Sequence, residues 1–169
     1  MRARVLLAAL ALLGSFAATG ARAATDTTVV AQGNATLSYG SPVVNCAAPV
    51  VIDFVVQQSQ AVYHEEWGPG SPGVEACAIG AAGTTAFASN TYPGFQQCTP
   101  VGGVYNPVYT LSQSGITYTL QSSVQLCNGT RVLDKIVVTV RQSNMTFTHT
   151  YSENGVVLVK GTGTIPRLA

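Results

Sequence analysis

The sequence predicts an all-β protein: an antiparallel β-sandwich or jelly roll, with an up-and-down β-barrel as the alternative. Three observations support this class. Apolar and polar residues alternate from Ile116 to Ile165, glycine-containing turn sequences interrupt the alternation, and a run rich in valine and isoleucine lies at 50–56. Alternation of this kind gives each strand one buried face and one wet face.

The first 23 residues are typical of a secretory signal peptide. Arg2 and Arg4 precede the apolar stretch Val5 to Ala18, and Ala21-Arg22-Ala23 is a small-x-small cleavage site. The apolar stretch is shorter than the about 20 residues that a membrane span needs. We therefore expect one extracellular domain over 24–169, without a transmembrane segment after signal removal. The protein would be secreted, or periplasmic in a bacterium; a retained membrane anchor is the alternative.

Strands are predicted over Thr27 to Tyr39, over Val50 to Val56, which fits a strand buried on both sides, and over Val104 to Ser112. Between them, residues 67–103 are rich in glycine and proline and predict a long loop, with a short helical turn at 74–82. A loop of this length inside one domain is usually functional or covalently fixed.

Four strands in a meander are predicted after Ile116, and the first turn defines their register. A three-residue loop at Cys127-Asn128-Gly129 places Leu120 opposite Ile136 and keeps all apolar residues on one face, whereas a two-residue loop mixes the faces. Gly129 suits the left-handed position of such a loop. The same reasoning at Glu153-Asn154-Gly155 places Tyr151 opposite Val157, with Phe147 and Met145 over Gly161 and Gly163.

Four cysteines in an exported chain predict two disulfides. The spacing of Cys46, Cys77, Cys98 and Cys127 lacks the close pairs that zinc sites need, so no metal site is predicted. If 104–112 pairs with 116–126 around Gln113-Ser114, Cys127 lies near Cys98. We favour Cys98–Cys127 and Cys46–Cys77 among the three possible connectivities.

The composition argues against nucleic acid as a partner. Charged residues make up 9% of the chain, against about 25% in ordinary domains, and phosphate binding needs many lysines and arginines. Threonine, serine and glutamine supply the wet faces instead. Three Asn-x-Ser/Thr sequences, at Asn34, Asn128 and Asn144, are possible glycosylation sites.

The densest group of polar and aromatic residues is Tyr63-His64-Glu65-Glu66-Trp67. Neighbours on a strand point apart, so His64 and Glu66 can converge while Glu65 cannot join them. Tyr63, His64, Glu66 and Trp67 are the predicted binding residues, at the mouth of the long loop. His149 lies on the apolar face of its strand and is interpreted as a core or edge residue. No catalytic or cofactor motif is present.

Three functions remain open. The first is a non-enzymatic extracellular protein that binds a partner or glycan, or forms part of a surface coat, and self-association fits this function. The second is a carrier of a small apolar ligand inside a barrel. The third is a small secreted hydrolase that uses the 63–67 group.

Overall fold

The structure, a computed structural model, describes residues 26–40, 43–68, 82–89, 98 and 108–169. These residues form nine strands: β1 (Thr27–Tyr39), β2 (Val44–Gln57), β3 (Gln60–Trp67), β4 (Ala82–Ser89), β5 (Tyr109–Ser114), β6 (Thr117–Gln125), β7 (Arg131–Val140), β8 (Asn144–Glu153) and β9 (Val156–Pro166). The predicted signal peptide, residues 1–23, lies outside the described residues. In the described part of the chain, no helix is long and apolar enough to cross a membrane.

The strands form a closed barrel in sequence order, and β9 pairs with β1 to complete the ring. The all-β class is confirmed, but the architecture is the barrel alternative and not the sandwich or jelly roll. Alternation cannot separate these folds, because both bury one face of every strand. The turn Gln58-Ser59 between β2 and β3 marks the end that we call lower, and the β6–β7 and β8–β9 turns lie at the upper end.

Nine strands cannot alternate in direction around a ring, so one neighbouring pair has to be parallel. That pair is β4 and β5, which share two residue pairs, Ala88↔Tyr109 and Ser89↔Thr110. Parallel neighbours need a crossover connection. Here the connection contains Cys98, whose disulfide with Cys127 ties it to the end of β6.

The Cys98–Cys127 disulfide confirms the preferred pairing, although the register used to predict it is wrong. β5 and β6 turn at Gly115-Ile116, with Ser114 opposite Thr117, and not at Gln113-Ser114. Cys46 is also disulfide-bonded, while its predicted partner Cys77 lies outside the described residues.

The first strands agree only in part with the boundaries predicted from the sequence. β1 has the predicted bounds, but β2 is longer than predicted and is buried on one side only, with Asp53 exposed on the other. Strand β4 lies inside the segment predicted to be a loop. Its inward residues Ala86 and Ala88 are small, and its outward Phe87 is 67% exposed, so the usual alternation is inverted there.

The β6–β7 register is as predicted, with Leu120 opposite Ile136. Gly129 has φ +88°, and its neighbour Leu126 donates its backbone N–H to the Thr130 carbonyl at 2.8 Å. Burial of the apolar face, which a slip of one residue would expose, selects this pairing.

The β8–β9 register differs from the prediction. The turn has two residues, Asn154-Gly155, and a bulge between Tyr151 and Ser152 shifts the pairing so that Tyr151 lies opposite Val159 and His149 opposite Gly161. A two-residue turn followed by a bulge is not distinguishable by sequence from a three-residue loop, because both need Asn-Gly.

The lower half of the barrel interior is apolar and filled. Its buried side chains come from all parts of the ring; they include Val29, Ala31, Phe54, Val56, Leu111, Tyr118, Leu120, Val138, Met145 and Ile165. Phe54 packs edge-on against Tyr118, with ring centroids 5.1 Å apart, a favourable aromatic geometry. The upper half is different, because charged side chains point into it.

Candidate functional site

Strand β3 divides the predicted binding residues between two sides of the barrel wall. Tyr63 and Trp67 are 0% and 4% exposed inside the barrel, while His64 and Glu66 lie on the outer side. The prediction assumed that the four residues share one exposed surface. The structure shows that they do not. Period-two alternation separates them and brings Glu65, which the prediction set aside, into the interior with Tyr63 and Trp67.

His149 lies at the centre of the polar interior, between two carboxylates. Its Nδ1 is 2.6 Å from Glu65 Oε1, and its Nε2 is 2.8 Å from Asp134 Oδ1. The two acids come from β3 and β7, so the imidazole on β8 bridges strands across the barrel. All three side chains are nearly inaccessible, with His149 12% exposed and the acids less.

Two tyrosines complete the hydrogen bonding of these acids. Tyr63 donates its hydroxyl to Glu65 Oε2 at 2.6 Å, and Tyr109 donates to Asp134 Oδ2 at 2.7 Å. We call Tyr63, Glu65, Tyr109, Asp134 and His149 the inner polar cluster. Each carboxylate oxygen in it has at least one donor, as buried charge requires.

The cluster shifts the proton affinity of its members. Burial lowers the pKa of His149, but the hydrogen bonds and charges of Asp134 and Glu65 outweigh it and raise that pKa from 6.5 to about 10. Burial, followed by the charge of Glu65, raises the pKa of Tyr63 well above its ordinary value. At neutral pH the cluster therefore contains an imidazolium at His149 and a neutral hydroxyl at Tyr63.

A cavity of about 250 Å³ lies against the cluster. Three members of the inner polar cluster, Glu65, Asp134 and His149, form its charged part. The rest of the wall comes from β1, β3, β4, β8 and β9; it consists of Leu37, Trp67, Thr84, Tyr151, Val159 and Gly161. Val159 is 40% exposed, so this residue lies at the edge of the cavity.

Gly161 makes room for the tryptophan in this wall. A Cβ at position 161 would lie 2.7 Å from Trp67 Cζ2, closer than carbon atoms pack. Trp67 also packs against Phe147, with ring centroids 6.0 Å apart. The predicted positions of Phe147 and Met145 over Gly161 and Gly163 are wrong by two residues, because Phe147 lies opposite Gly163 and Met145 lies opposite Ile165. Trp67 occupies the space at Gly161, and a Cβ at Gly163 would lie 2.6 Å from the Cβ of Ala35.

On the outer wall, His64 and Glu66 converge as predicted. His64 Nε2 is 3.0 Å from Glu66 Oε1, and its Nδ1 is 2.8 Å from Thr85 Oγ1. Glu66 is 68% exposed, and exposed pairs of this kind contribute about 0–1 kcal/mol. As binding residues for a partner or glycan, Tyr63, His64, Glu66 and Trp67 stay a prediction.

The sequons occupy different surroundings. Asn34 and Asn128 are exposed, and Asn128 Oδ1 accepts the Thr130 backbone N–H at 3.0 Å. Asn144 is half-buried at the start of β8, and its Oδ1 is buried without a hydrogen-bond partner among the described residues. Glycosylation at the three positions stays a prediction.

Sequence reasoning overlooked most of the inner polar cluster, although a signal was present. Asp134 has the same parity along β7 as Val132 and Ile136, and His149 has the same parity along β8 as Phe147. An acid and a histidine on the apolar faces of adjacent strands indicate that the two side chains meet inside the fold. The contact of Glu65 with His149 could not be predicted in this way, because only closure of the barrel brings β3 and β8 to face each other.

The contacts of His149 limit the acid–base chemistry that its ring can perform. Both nitrogens of His149 face carboxylates, so neither is available to take a proton from a substrate. In the described part of the chain, no group of three or more His, Cys, Asp or Glu side chains is arranged to hold a metal ion. Comparison with known proteins finds no matching family model, curated protein or solved structure.

Proposed function

We propose that this protein is an exported barrel that binds a small molecule in the upper half of its interior and does not transform it. The observation that carries the proposal is the cavity of about 250 Å³ beside the inner polar cluster. Barrels of about eight strands are just wide enough to hold side chains or one small ligand. Sites for small molecules typically combine apolar walls with a few fixed polar groups, as this cavity does.

Burial of the charged side chains of the cluster carries a desolvation cost, which supports a functional role. Moving a charged group out of water costs several kcal/mol, and buried ion pairs are often replaceable by apolar residues without loss of stability. The lower half of the same barrel is filled with apolar side chains. Charged side chains occur only in the upper half of the described interior. This placement supports a ligand that interacts with them there.

The first experiment tests whether small molecules bind inside the barrel. The exported protein is purified without denaturation and its copurifying small molecules are sought by native mass spectrometry, followed by thermal-shift screening of a small-molecule library. A hit should be lost in Val159→Phe, which fills the cavity edge. Val157→Phe is the matched control, since Val157 is on the same strand and 53% exposed but does not line the cavity.

Retention of binding in Val159→Phe, or the lack of any stabilising compound, would count against the proposal. A hit that is apolar and uncharged would support the second of the functions expected from the sequence, a carrier of apolar ligands. Turnover of a hit by the purified protein would instead support the hydrolase.

A second candidate function, as a self-associating component of a surface coat, is favoured by the start of β9. Val156, Val157, Leu158 and Val159 are 62%, 53%, 40% and 40% exposed. Among the described residues, β1 pairs with β9 only from Val159 onward. An apolar strand edge without a partner is a template for pairing with a second copy of the chain.

Analytical ultracentrifugation over a range of concentrations tests this second candidate. A dimer or larger assembly should form in the unaltered protein and dissociate in Val157→Lys, because a lysine on an edge strand opposes pairing. A monomer at all concentrations would rule out self-association through this edge.

A further inference from the structure

We propose that the ligand of the upper cavity is a small organic cation, a primary or quaternary ammonium compound. This inference rests on the proposed function and names its ligand class. It follows from the net charge of the cavity wall, from the lack of any compensating base, and from the aromatic side chains beside the acids.

When Glu65, Asp134 and His149 hold one proton between them, the inner polar cluster carries one net negative charge. With a protonated His149 between two carboxylates, the sum is −1. If a proton moved from His149 to Glu65 or Asp134, the sum would be unchanged. The tyrosine hydroxyls donate to the acids, so they contribute hydrogen bonds and no positive charge. One negative charge therefore remains beside the cavity, on acid side chains that are 5% and 9% exposed.

No other side chain in the described part of the chain neutralises this charge. The basic residues after the predicted signal peptide are Arg131, Lys135, Arg141, Lys160 and Arg167, and the structure describes all five. The ion pairs of Glu65 and Asp134 among the described residues are those with His149. An uncompensated buried charge is strongly unfavourable, so a bound cation would restore balance.

The rest of the wall suits an ammonium group better than a metal ion. Trp67 and Tyr151 line the cavity together with Glu65 and Asp134, and aromatic faces attract organic cations through their quadrupole. Tyr151 is oriented by its own hydroxyl, which donates to Glu153 Oε1 at 2.9 Å. Apolar Leu37 and Val159 complete the wall and would contact the alkyl groups of such a ligand.

Binding of charged and neutral probes of the same shape tests the inference on the unaltered mature protein. Choline is compared with 3,3-dimethylbutan-1-ol, in which carbon replaces the quaternary nitrogen, and butylammonium is compared with 1-butanol, all by isothermal titration calorimetry. We expect each cation to bind at least tenfold more tightly than its neutral counterpart. Butyrate, which has the opposite charge, should not bind.

The outcomes separate the inference from the proposed function. Equal binding of the charged and neutral probes would leave a small-molecule site but overturn the cationic class. Preferential binding of butyrate would overturn that class as well. If none of the five probes binds, the cationic inference fails, and the library screen alone then decides whether the cavity binds anything.

A matched pair of charge variants locates the effect. Asp134→Asn keeps the shape of the side chain and removes the net charge, so the preference for choline over its neutral counterpart should fall at least tenfold. Asp53→Asn makes the same change on the exposed outer face of β2, where the preference should stay the same. Equal loss in both variants would indicate a general electrostatic effect and contradict a site at the cluster. The probe comparison remains decisive even if Asp134→Asn does not fold.

Discussion

Raising the pH from 7 to 9.5 should destabilise the protein through His149. The folded state holds the His149 proton up to a pKa of about 10, compared with 6.5 as the ordinary value. A group whose pKa is raised by folding stabilises the protein fully below its unfolded pKa and loses that effect as the pH rises through the folded pKa. The window for His149 is therefore pH 6.5 to 10.

The size of the effect follows from that interval. Each unit of difference between the folded and unfolded pKa corresponds to about 1.4 kcal/mol. In most of the window, His149 should therefore lower the free energy of unfolding by about that amount per pH unit. Between pH 7 and 9.5 the free energy of unfolding should fall by about 3 kcal/mol. Tyr63 does not add to this slope, because burial and the charge of Glu65 raise its pKa well above 10.0 and its contribution changes only at higher pH.

Urea denaturation at half-unit steps of pH measures the slope, and proton NMR measures the histidine directly. The chain has two histidines, so His64→Gln leaves one imidazole signal, that of His149. We expect this signal to stay at its protonated position from pH 5 to 8.5 and the variant to keep the slope in stability. A His149 signal that titrates near pH 6.5, or a stability that is flat from pH 7 to 9.5, would refute the assignment of a shared proton to the cluster.

Three further predictions concern packing and turns. Gly161→Ala should destabilise by about 1–3 kcal/mol in thermal melting, since its Cβ would meet Trp67 at 2.7 Å, and an unchanged melting temperature would contradict the close packing of Trp67 at this position. Trp67→Ala should cost about 3–5 kcal/mol because its ring is buried, and a loss below about 1 kcal/mol in urea denaturation would show that the ring is not part of the core. Gly129→Val should cost about 1 kcal/mol or more, since φ is +88° and a β-branched residue resists that region, and unchanged thermal unfolding would contradict the left-handed turn.

The strands of the second half could be predicted because burial and turn chemistry agree there. Alternation from Ile116 to Val140 restricts the β6–β7 pair to one register, and Gly129 fits only one loop length. The β8–β9 register was wrong because Asn154-Gly155 is compatible with two turn geometries, and the bulge at Tyr151/Ser152 that distinguishes them leaves no mark in the sequence.

Barrel closure and strand β4 were not predictable from local patterns. Closure depends on the pairing of β1 with β9, which are far apart in the chain, and an alternating strand looks the same in a sandwich. In β4, the inward alanines are too small to produce an apolar periodicity, while Phe87 points outward. Sequence alone therefore assigned this strand to the glycine- and proline-rich loop.

The two aromatic residues of the predicted site were assigned to the wrong face of β3 for a related reason. The 63–67 group was identified correctly as unusual, but its aromatic residues were interpreted as an exposed contact surface. In the barrel the same alternation turns Tyr63 and Trp67 inward with Glu65. The acid that was set aside is the one that reaches His149, and only closure brings β3 and β8 to opposite sides of one cavity.

The inner polar cluster also lies where the barrel is least supported by backbone pairing. β4 and β5 share two residue pairs, while Tyr63 and Glu65 on β3 connect through His149 and Asp134 to Tyr109 on β5. This chain of side-chain hydrogen bonds spans the interior from one side of the parallel pair to the other. A purely structural bridge would need no net charge, since an amide in place of Asp134 would still accept the His149 proton. The extra negative charge is therefore the feature that the barrel's architecture leaves unexplained, and a cation in the cavity accounts for it.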